Sequence, residues 1–304
     1  MDNNMDLPPT PTIKHIVCSG GGVTGFSFYG ALKHANQCGV WDFQHLCSLY
    51  GTSIGSLLCV VIALNYDWET LDNYFIKRPW HNLYKMDMYI LLETFNRKGI
   101  FEHKVIEETL SPLFRGKDIP VDITMRDFFE LTNIDIHIFA VELNRFDIVD
   151  FSHKTHGGWR VIDAVYCSCA VPVIFAPFFK DDGCYSDGGI LHDYPINTCI
   201  KNGAVPDEIL GIVRKCNNEN RICKESTMFD YILHLANKTH ENMLINMNND
   251  CEILHEIIVP AMPITIDSIC DAAVSMEQRI LLIDAGIDMA KKAVENWKKE
   301  EKHC

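Results

Sequence analysis

A serine lies between two glycines in the segment Gly51-Thr52-Ser53-Ile54-Gly55. Residues 46–50 before it are apolar, as in a buried strand, and residues 54–64 after it have the composition of a buried helix. In this strand–turn–helix context, a tight turn holds the serine in strained geometry and exposes its hydroxyl. The pattern therefore predicts a nucleophile at Ser53, with Gly51 and Gly55 leaving room for the strand and helix to approach each other.

Three consecutive glycines follow an earlier strand-like segment, residues 13–19. The run Gly20-Gly21-Gly22 exposes backbone N–H groups with no side chains in the way, and Gly25 follows it where a helix is expected to begin. Such a loop suits a negatively charged oxygen. Adjacent parallel strands would place it beside Ser53, so we predict an oxyanion hole formed by these three glycines.

The same glycines also satisfy G-x-G-x-x-G, the pattern of dinucleotide-binding loops. In that interpretation an acidic residue belongs at the end of the second strand. Asp42 lies at about the right distance along the chain but precedes that strand, which ends at Tyr50 and Gly51. The oxyanion hole is therefore the preferred interpretation.

A serine hydroxyl needs a base within hydrogen-bonding reach. In the common hydrolase triad an acid and then a histidine follow the serine, but none of the 13 histidines lies at a distinctive turn late in the chain. Asp187 opens the segment Asp187-Gly188-Gly189, where small residues leave the carboxylate at a loop tip. Such a segment by itself is more often only a turn, but Asp187 follows the glycine run and the serine turn in that order, which makes it a candidate for the base. A histidine-dependent esterase of the α/β-hydrolase type stays as the alternative enzyme.

The amino-acid composition limits which classes of function and which partners are plausible. The formal charge of −14 argues against nucleic acid as a partner and against long-range attraction to anionic membranes. The 13 cysteines, without a C-x-x-C pair or a secretory signal, indicate reduced thiols in a cytoplasmic protein, which for a viral protein means the host cytoplasm. No set of His, Cys and Asp completes a metal site, and no apolar run has the length of a membrane span.

Strand-like and helix-like segments alternate, which predicts an α/β fold with a mainly parallel central sheet covered on both faces. We expect one domain over residues 13–304, comprising a motif-bearing core (13–215) and a helical C-terminal part (216–304), after a mobile tail (1–12). The expected strands are 13–19, 46–50, 134–143, 146–152, 173–179, 208–214 and 253–260, and the expected helices are 26–37, 54–64, 125–131, 161–170, 226–247 and 274–299.

Large apolar side chains are concentrated in residues 66–101. One interpretation is that helices in this segment pack against the sheet. The other is that the segment forms a cap or lid that shapes an apolar pocket. The sequence leaves both open.

Together these motifs resemble the patatin-like phospholipases. That family has a G-G-G-x-[R/K]-G loop, G-x-S-x-G and D-G-[G/A] in this order, and the matching segments here are Gly20–Gly25, Gly51–Gly55 and Asp187–Gly189. Further similarities are Gly99-Ile100-Phe101 and the small-residue stretch at 167–172. The resemblance covers about residues 13–215, whereas the remainder is only loosely similar to viral and bacterial members.

The resemblance implies a three-layer α/β/α fold and a Ser–Asp dyad without a histidine. By position, Ser53 is the nucleophile, Asp187 the base, and Gly21 and Gly22 the oxyanion donors; the motif-supporting glycines are Gly25, Gly51, Gly55, Gly188 and Gly189. The implied activity is a phospholipase A-type lipid acyl hydrolase that cleaves phospholipids or other fatty acyl esters through an acyl-enzyme. No cofactor or metal is implied, and contact with a membrane or micelle surface would be transient.

Two residues depart from the family pattern. Thr24 stands where the family has Arg or Lys, which favours neutral lipids or lysolipids over contacts to a phosphate headgroup. It also leaves open a catalytically inactive patatin-fold module that binds lipid or a partner protein. Asp193 stands where an Asn commonly precedes the family's proline, here Pro195. A carboxylate close to Asp187 would raise one of the two pKa values.

Overall fold

The computed structural model describes residues 13–85, 88–215 and 252–300, with scattered positions between 222 and 238. Eight strands form a central sheet in the order β10-β9-β1-β2-β4-β8-β7, with β5 also paired to β4. In chain order the strands are β1 (His15–Cys18), β2 (Ser48–Thr52), β3 (Gly99–Phe101), β4 (Asp135–Glu142), β5 (Asp147–Phe151), β6 (Val173–Phe175), β7 (Phe178–Lys180), β8 (Gly183–Asp187), β9 (Ile209–Lys215) and β10 (His255–Pro260). Strands β3 and β6 form a separate two-stranded sheet.

The central sheet is mainly parallel, as predicted. Strands β10, β9, β1, β2 and β4 all run in one direction. Strands β5 and β8 are antiparallel to β4, and β7 is antiparallel to β8. The carboxyl ends of β1 and β2 therefore meet at one edge, which places the segments that follow them next to each other.

Helices cover both faces of this sheet. In chain order they are α1 (Gly25–Gln37), α2 (Ile54–Ala63), α3 (Trp68–Lys77), α4 (Met88–Arg97), α5 (Lys104–Arg115), α6 (Met125–Thr132), α7 (Val161–Cys169), α8 (Ile196–Lys201), α9 (Ile266–Val274) and α10 (Met276–Glu300). Short 3₁₀ turns occur at Gly22–Thr24, Phe43–His45, Trp80–Asn82, Gly188–Ile190 and Pro206–Glu208.

Side chains of the parallel strands alternate between two buried cores, because successive residues of a strand point to opposite faces. On one face Val17, Tyr50 and Phe139 pack with Ile196 and Cys199 of α8. The neighbouring strand positions belong to the larger core, which includes α1, α2 and α7. This layering is the three-layer α/β/α arrangement expected from the sequence.

The C-terminal helix docks on the molecule. Helix α10 lies directly against α1: a Cβ on Gly30 would come 2.1 Å from the carbonyl oxygen of Ile283, and one on Gly286 would come 1.8 Å from that of Ser27. The single helix predicted over 274–299 is wrong at its start. Helix α9 ends at Val274, and the Ser275 hydroxyl accepts a hydrogen bond from the Gln278 N–H at 3.1 Å, which begins α10 as an N-cap.

Other boundaries differ for local reasons. The extended segment predicted over 173–179 is two short strands, β6 and β7, separated by Ala176 and Pro177, and proline has no N–H to continue a ladder. The predicted helix 226–247 lies mostly outside the described residues, and the predicted tail 1–12 lies wholly outside them.

Candidate active site

Ser53 occupies the sharp turn between β2 and α2. Its backbone has φ 54° and ψ −128°, a left-handed conformation that costs a non-glycine residue free energy. A Cβ on Gly51 would lie 2.6 Å from the backbone of Gly55, and a Cβ on Gly55 would lie 2.5 Å from the carbonyl oxygen of Cys18. Both glycines are therefore required by the close approach of strand and helix.

Neighbouring polar groups hold the Ser53 backbone in this conformation. Its N–H donates to the Ser168 hydroxyl at 2.8 Å, and that hydroxyl donates to the Phe139 carbonyl at 2.6 Å. The Ser56 hydroxyl donates to the Ser53 carbonyl at 2.7 Å. The supporting role of Ser168 was not foreseen, although it lies in the small-residue stretch at 167–172 that resembles the family.

Asp187 ends β8 beside Ser53 and is only 5% exposed. Its Oδ1 accepts the Gly189 N–H at 2.6 Å. Burial raises the pKa of the Asp187 carboxyl to about 7, and hydrogen bonding from the Ser53 side chain and from Gly189 opposes that rise. Among the described residues, Asp187 Oδ2 has no partner with full hydrogen-bond geometry, so the interaction with the Ser53 side chain falls short of an ideal bond, as is common for a base before substrate binds.

The triple-glycine loop lies alongside the serine turn. Cys18 at the end of β1 is in register with Gly51 of β2, and a Cβ on Gly20 would lie 3.4 Å from the Ser53 Cβ. The Gly20 N–H donates to the Asp193 carbonyl at 3.0 Å and is therefore already engaged. Among the described residues, no hydrogen bond is made by the N–H groups of Gly21 and Gly22.

The remaining motif glycines allow other close contacts. A Cβ on Gly25 would come 2.2 Å from Cγ1 of Ile54, and one on Gly188 would come 2.2 Å from the carbonyl oxygen of Phe139. These contacts press the start of α1 onto the Ser53 turn and the Asp187 turn onto β4.

Asp193 also lies in this cluster and is 7% exposed. Its charge raises the pKa of Asp187, as expected from the sequence, but burial is the larger cause. Arg214, at the carboxyl end of β9, forms an ion pair with Asp193 at 3.5 Å and lowers the pKa of Asp187. Sequence reasoning did not find Arg214, because a single arginine late in a buried strand carries no motif.

Thr24, the other departure from the family pattern, is fully buried. Its hydroxyl accepts the Met262 N–H at 3.0 Å and so fastens the segment after β10 to the glycine loop. Ile264 in that segment lies against Gly22, where an added Cβ would come within 3.3 Å of it. Thr24 thus has a structural role here.

An apolar cavity of about 130 Å³ opens beside Ser53. The residues around it come from the glycine loop, α1–α3, α5, α7, β6 and α9: Gly22, Val23, Phe26, Ser53, Ile54, Leu57, Phe75, Trp80, Tyr84, Ile106, Thr109, Cys169, Val171, Ile174, Phe175, Ile264, Ile269, Ala272 and Ala273. In residues 66–101, Phe75 and Trp80 are buried in the core, as expected for helices that pack against the sheet, and they also form part of this cavity wall.

Arg279 joins two walls of the cavity. It is 3% exposed and donates to the carbonyl oxygens of Ala272 (2.7 Å) and Ala273 (3.1 Å) at the end of α9. It also donates to the Ile76 carbonyl in α3 at 2.6 Å. A buried guanidinium thereby satisfies carbonyls that two helix ends would otherwise leave unpaired.

Other candidate chemistry is not supported in the described part of the chain. His192, five residues after Asp187, pairs through Nε2 with the Thr198 hydroxyl at 2.9 Å. No group of three or more His, Cys, Asp or Glu side chains within the described ranges has an arrangement that could hold a metal ion. None of the helices assigned there combines the length and apolarity needed to cross a bilayer.

These features define an α/β/α protein with a strained serine at a strand–helix turn, beside a buried aspartate and a glycine loop. A family model described as patatin-like phospholipase matches residues 16–200, more than half of the chain. The chain therefore belongs to the patatin-like phospholipase family.

Individual proteins are also similar to this chain. "Probable lipid hydrolase 463L" of Invertebrate iridescent virus 6 is 26% identical over 188 residues, which cover 62% of this chain and 63% of that protein. "Uncharacterized protein R571" of Acanthamoeba polyphaga mimivirus is 24% identical over 288 residues, or 93% of this chain and 94% of its own. The crystal structure of VipD from Legionella pneumophila has the same fold, with a TM-score of 0.56 at 15% identity over 94% of this chain and 67% of that one.

Proposed function

We propose that this protein is a phospholipase A-type lipid acyl hydrolase in which Ser53 is the nucleophile and Asp187 the general base. The observation that carries the proposal is the position of a left-handed serine beside a buried carboxyl group whose pKa is about 7, at the opening of an apolar cavity. Family membership and the similarity to a viral protein named as a probable lipid hydrolase support it.

The first half-reaction forms an acyl-enzyme. Asp187 accepts the proton of the Ser53 hydroxyl as Oγ attacks the ester carbonyl carbon. The tetrahedral oxyanion accepts hydrogen bonds from the N–H groups of Gly21 and Gly22, near the positive end of α2. The intermediate collapses as the C–O bond to the alcohol breaks, and protonated Asp187 returns its proton to the leaving alcohol.

The second half-reaction uses the same groups. Asp187, again ionised, accepts a proton from water as the water oxygen attacks the Ser53 ester. The fatty acid leaves and the serine regains its proton. A base is most effective when its pKa lies near the working pH, so a carboxyl group with a pKa of about 7 suits this task better than an ordinary aspartate. None of these steps requires a metal ion or a cofactor.

The substrate class follows from the cavity. Its wall is almost entirely apolar, which suits a fatty acyl chain held with its ester at Ser53. Phospholipids or other fatty acyl esters are the proposed substrates. Because such esters reside in membranes and micelles, we propose transient contact with a lipid surface.

The test is incubation of the full chain with neutral and charged phospholipids, alongside labelling by a fluorophosphonate probe. Release of fatty acid is expected, together with one label per chain, and Ser53→Ala is expected to lose both, with activity falling by about 10⁴-fold or more. A folded wild-type protein that takes up no label would favour the inactive lipid-binding module. A labelled protein that loses activity on a single His→Ala substitution would favour the histidine-dependent esterase.

A further inference from the structure

Asp193 and Arg214 form a shielded ion pair at the edge of the active site. Arg214 Nε lies 3.5 Å from Asp193 Oδ2, and the two side chains are only 11% and 10% exposed. A second contact of 3.5 Å joins Arg214 Nη2 to Asp193 Oδ1. Charges this well removed from water interact more strongly with their neighbours than surface charges do.

Both residues also contact the glycine loop. The Asp193 carbonyl accepts the Gly20 N–H at 3.0 Å, and a Cβ on Gly20 would come 2.4 Å from Asp193 Oδ1. The backbone N–H of Arg214 donates to the Ser19 hydroxyl at 3.2 Å, and that hydroxyl donates to the Gly20 carbonyl at 3.0 Å. Both residues therefore contact the loop through their backbones, and Asp193 also does so through its carboxylate.

The carboxylate of Asp193 reaches the turn that holds the proposed base as well. A Cβ on Gly189 would lie 3.1 Å from Asp193 Oδ1 and 2.9 Å from Asp187 Oδ1. Asp193 is thus placed between the glycine loop and the Asp187 turn. Because Gly20 and Gly189 lack side chains, this carboxylate can lie against both.

We propose that Asp193 and Arg214 are positioning residues of the active site: together they hold the Ser19–Gly22 loop and balance the charge beside Asp187. The inference rests on the proposed function, because it assigns these residues to the reaction of Ser53 and Asp187.

The titratable and charged groups facing Asp187 come from several elements. Asp193 precedes α8, Arg214 is the penultimate residue of β9, and Cys169 ends α7. Burial raises the pKa of the Cys169 thiol far above neutrality, so it stays uncharged. The charges of Asp193 and Arg214 therefore act on Asp187 with opposite signs. Removing the Asp193 charge should lower the pKa of Asp187, and removing the Arg214 charge should raise it.

The experiment measures the rate of fluorophosphonate labelling of Ser53 between pH 5 and 9. Asp193→Asn removes a negative charge, so the midpoint of the acidic limb should fall by about half a pH unit or more. Arg214→Gln removes a positive charge, so the midpoint should rise by a similar amount. At pH 5.5 each shift corresponds to about a threefold change in labelling rate. The double variant should return close to the wild-type midpoint.

Two further variants separate positioning from folding. Arg214→Lys keeps the charge but not the planar guanidinium, so its midpoint should stay near wild type while the maximal labelling rate falls. Lys14→Gln removes an exposed cation that pairs with Glu208 at the other end of the same strands, and should leave the profile unchanged. Thermal melting checks that each variant is folded. If Arg214→Gln does not fold, the maximal labelling rate of Arg214→Lys tests the positioning role instead.

The outcomes distinguish the two proposals. A wild-type protein without labelling overturns the proposed function and this inference with it. A labelled wild type whose midpoint is the same in Asp193→Asn and Arg214→Gln, or moves in the same direction in both, overturns the positioning role alone.

Discussion

A carboxylate lies at each end of β4, half-buried Asp135 at the amino end and buried Asp187 at the carboxyl end, and folding shifts their pKa values in opposite directions. At the carboxyl end, where Ala140 pairs with Asp187, burial raises the pKa of the aspartate to about 7. At the amino end, burial also acts to raise the pKa of Asp135, but hydrogen bonding and charge from His137 and Lys154 outweigh it, and the pKa lies well below its usual range.

The amino end is a network of ion pairs between Asp135, Asp150, His137, His153 and Lys154, although Asp135 Oδ1 makes no hydrogen bond of full geometry among the described residues. His137 is 4% exposed, its Nδ1 lies 2.8 Å from Asp150 Oδ2, and its Nε2 lies 3.4 Å from Asp135 Oδ1. Its ring stacks on that of Tyr50 with centroids 4.4 Å apart. Burial lowers the pKa of His137, but its two aspartate partners raise it to about 9 overall. These charges stabilise the fold because each has a partner.

One sheet thus places the groups that stabilise the fold at one end and the groups proposed to react at the other. The active-site end leaves Asp187 Oδ2 without a fully formed hydrogen bond and Ser53 in a strained conformation. Such groups cost stability and gain reactivity. The opposite end pairs the same type of carboxylate with Lys154 and two histidines, and we therefore expect mutations at the two ends to have different effects.

For the unsubstituted protein, the largest expected effect concerns activity at low pH. Because Asp187 must be ionised to accept a proton, kcat/KM should fall about tenfold per pH unit below pH 7, or about 100-fold at pH 5. Ester hydrolysis measured from pH 5 to 9 tests this. A flat profile over that range in a protein that stays folded would contradict a base with the environment of Asp187.

A smaller effect is expected on stability at the opposite end. His137→Ala removes the histidine partner of Asp150 and leaves Asp135 with His153 and Lys154, so the free energy of unfolding should fall by about 2 kcal/mol, a value reduced for the partial exposure of both aspartates. Urea unfolding measures the loss. The labelling rate of Ser53 in the folded variant should remain within about twofold of wild type. A large loss of labelling without a loss of stability would contradict the claim that the amino-end network stabilises the fold and takes no part in the reaction.

The same network has a pH dependence with a defined sign. Since the pKa of His137 is raised from 6.5 to about 9 by folding, its contribution is complete below about pH 6.5 and is lost as pH rises through 9. The stability difference between wild type and His137→Ala should therefore shrink between pH 7 and 9.5. A difference that grows over this interval would show that the histidine is not held in its charged form.

The smallest expected effect is on substrate selectivity. Ala273 lies in the cavity wall and is 4% exposed, whereas its neighbour Val274 is 70% exposed. Ala273→Leu should fill part of the cavity and reduce kcat/KM for long acyl chains relative to short ones by about tenfold. Val274→Leu is the matched control and should leave the chain-length profile unchanged. Equal profiles for both variants would mean that the acyl chain lies elsewhere.

Much of the active-site end could be predicted because its chemistry depends on short, local patterns. Ser53 and the glycines around it are needed by one tight turn, so a pattern of five residues is enough to identify them. The triple-glycine loop follows its strand directly, and the order of parallel strands places it beside that turn. Family resemblance supplied the pairing with Asp187, 134 residues further on.

The rest depends on contacts between distant segments. Arg214 reaches Asp193 only because β9 pairs with β1, and no pattern near either residue signals it. Arg279 joins α3 to α9 across about 200 residues. The amino-end network was missed for the same reason, since His137 and its partners look like ordinary strand and turn residues. Ser275 shows that prediction can also fail at short range. The helical sequence pattern continues through Ser275, although this residue ends α9 and caps the start of α10.

The most direct test of the central claim is the activity of Asp187→Asn compared with His192→Asn. The dyad predicts that Asp187→Asn loses about 10⁴-fold or more in fatty acid release. Its melting temperature should be no lower than wild type, because a carboxyl group with a raised pKa destabilises the fold at neutral pH. His192→Asn should keep most of its activity. A well-folded Asp187→Asn protein that still hydrolyses lipid esters at near wild-type rates would contradict the account.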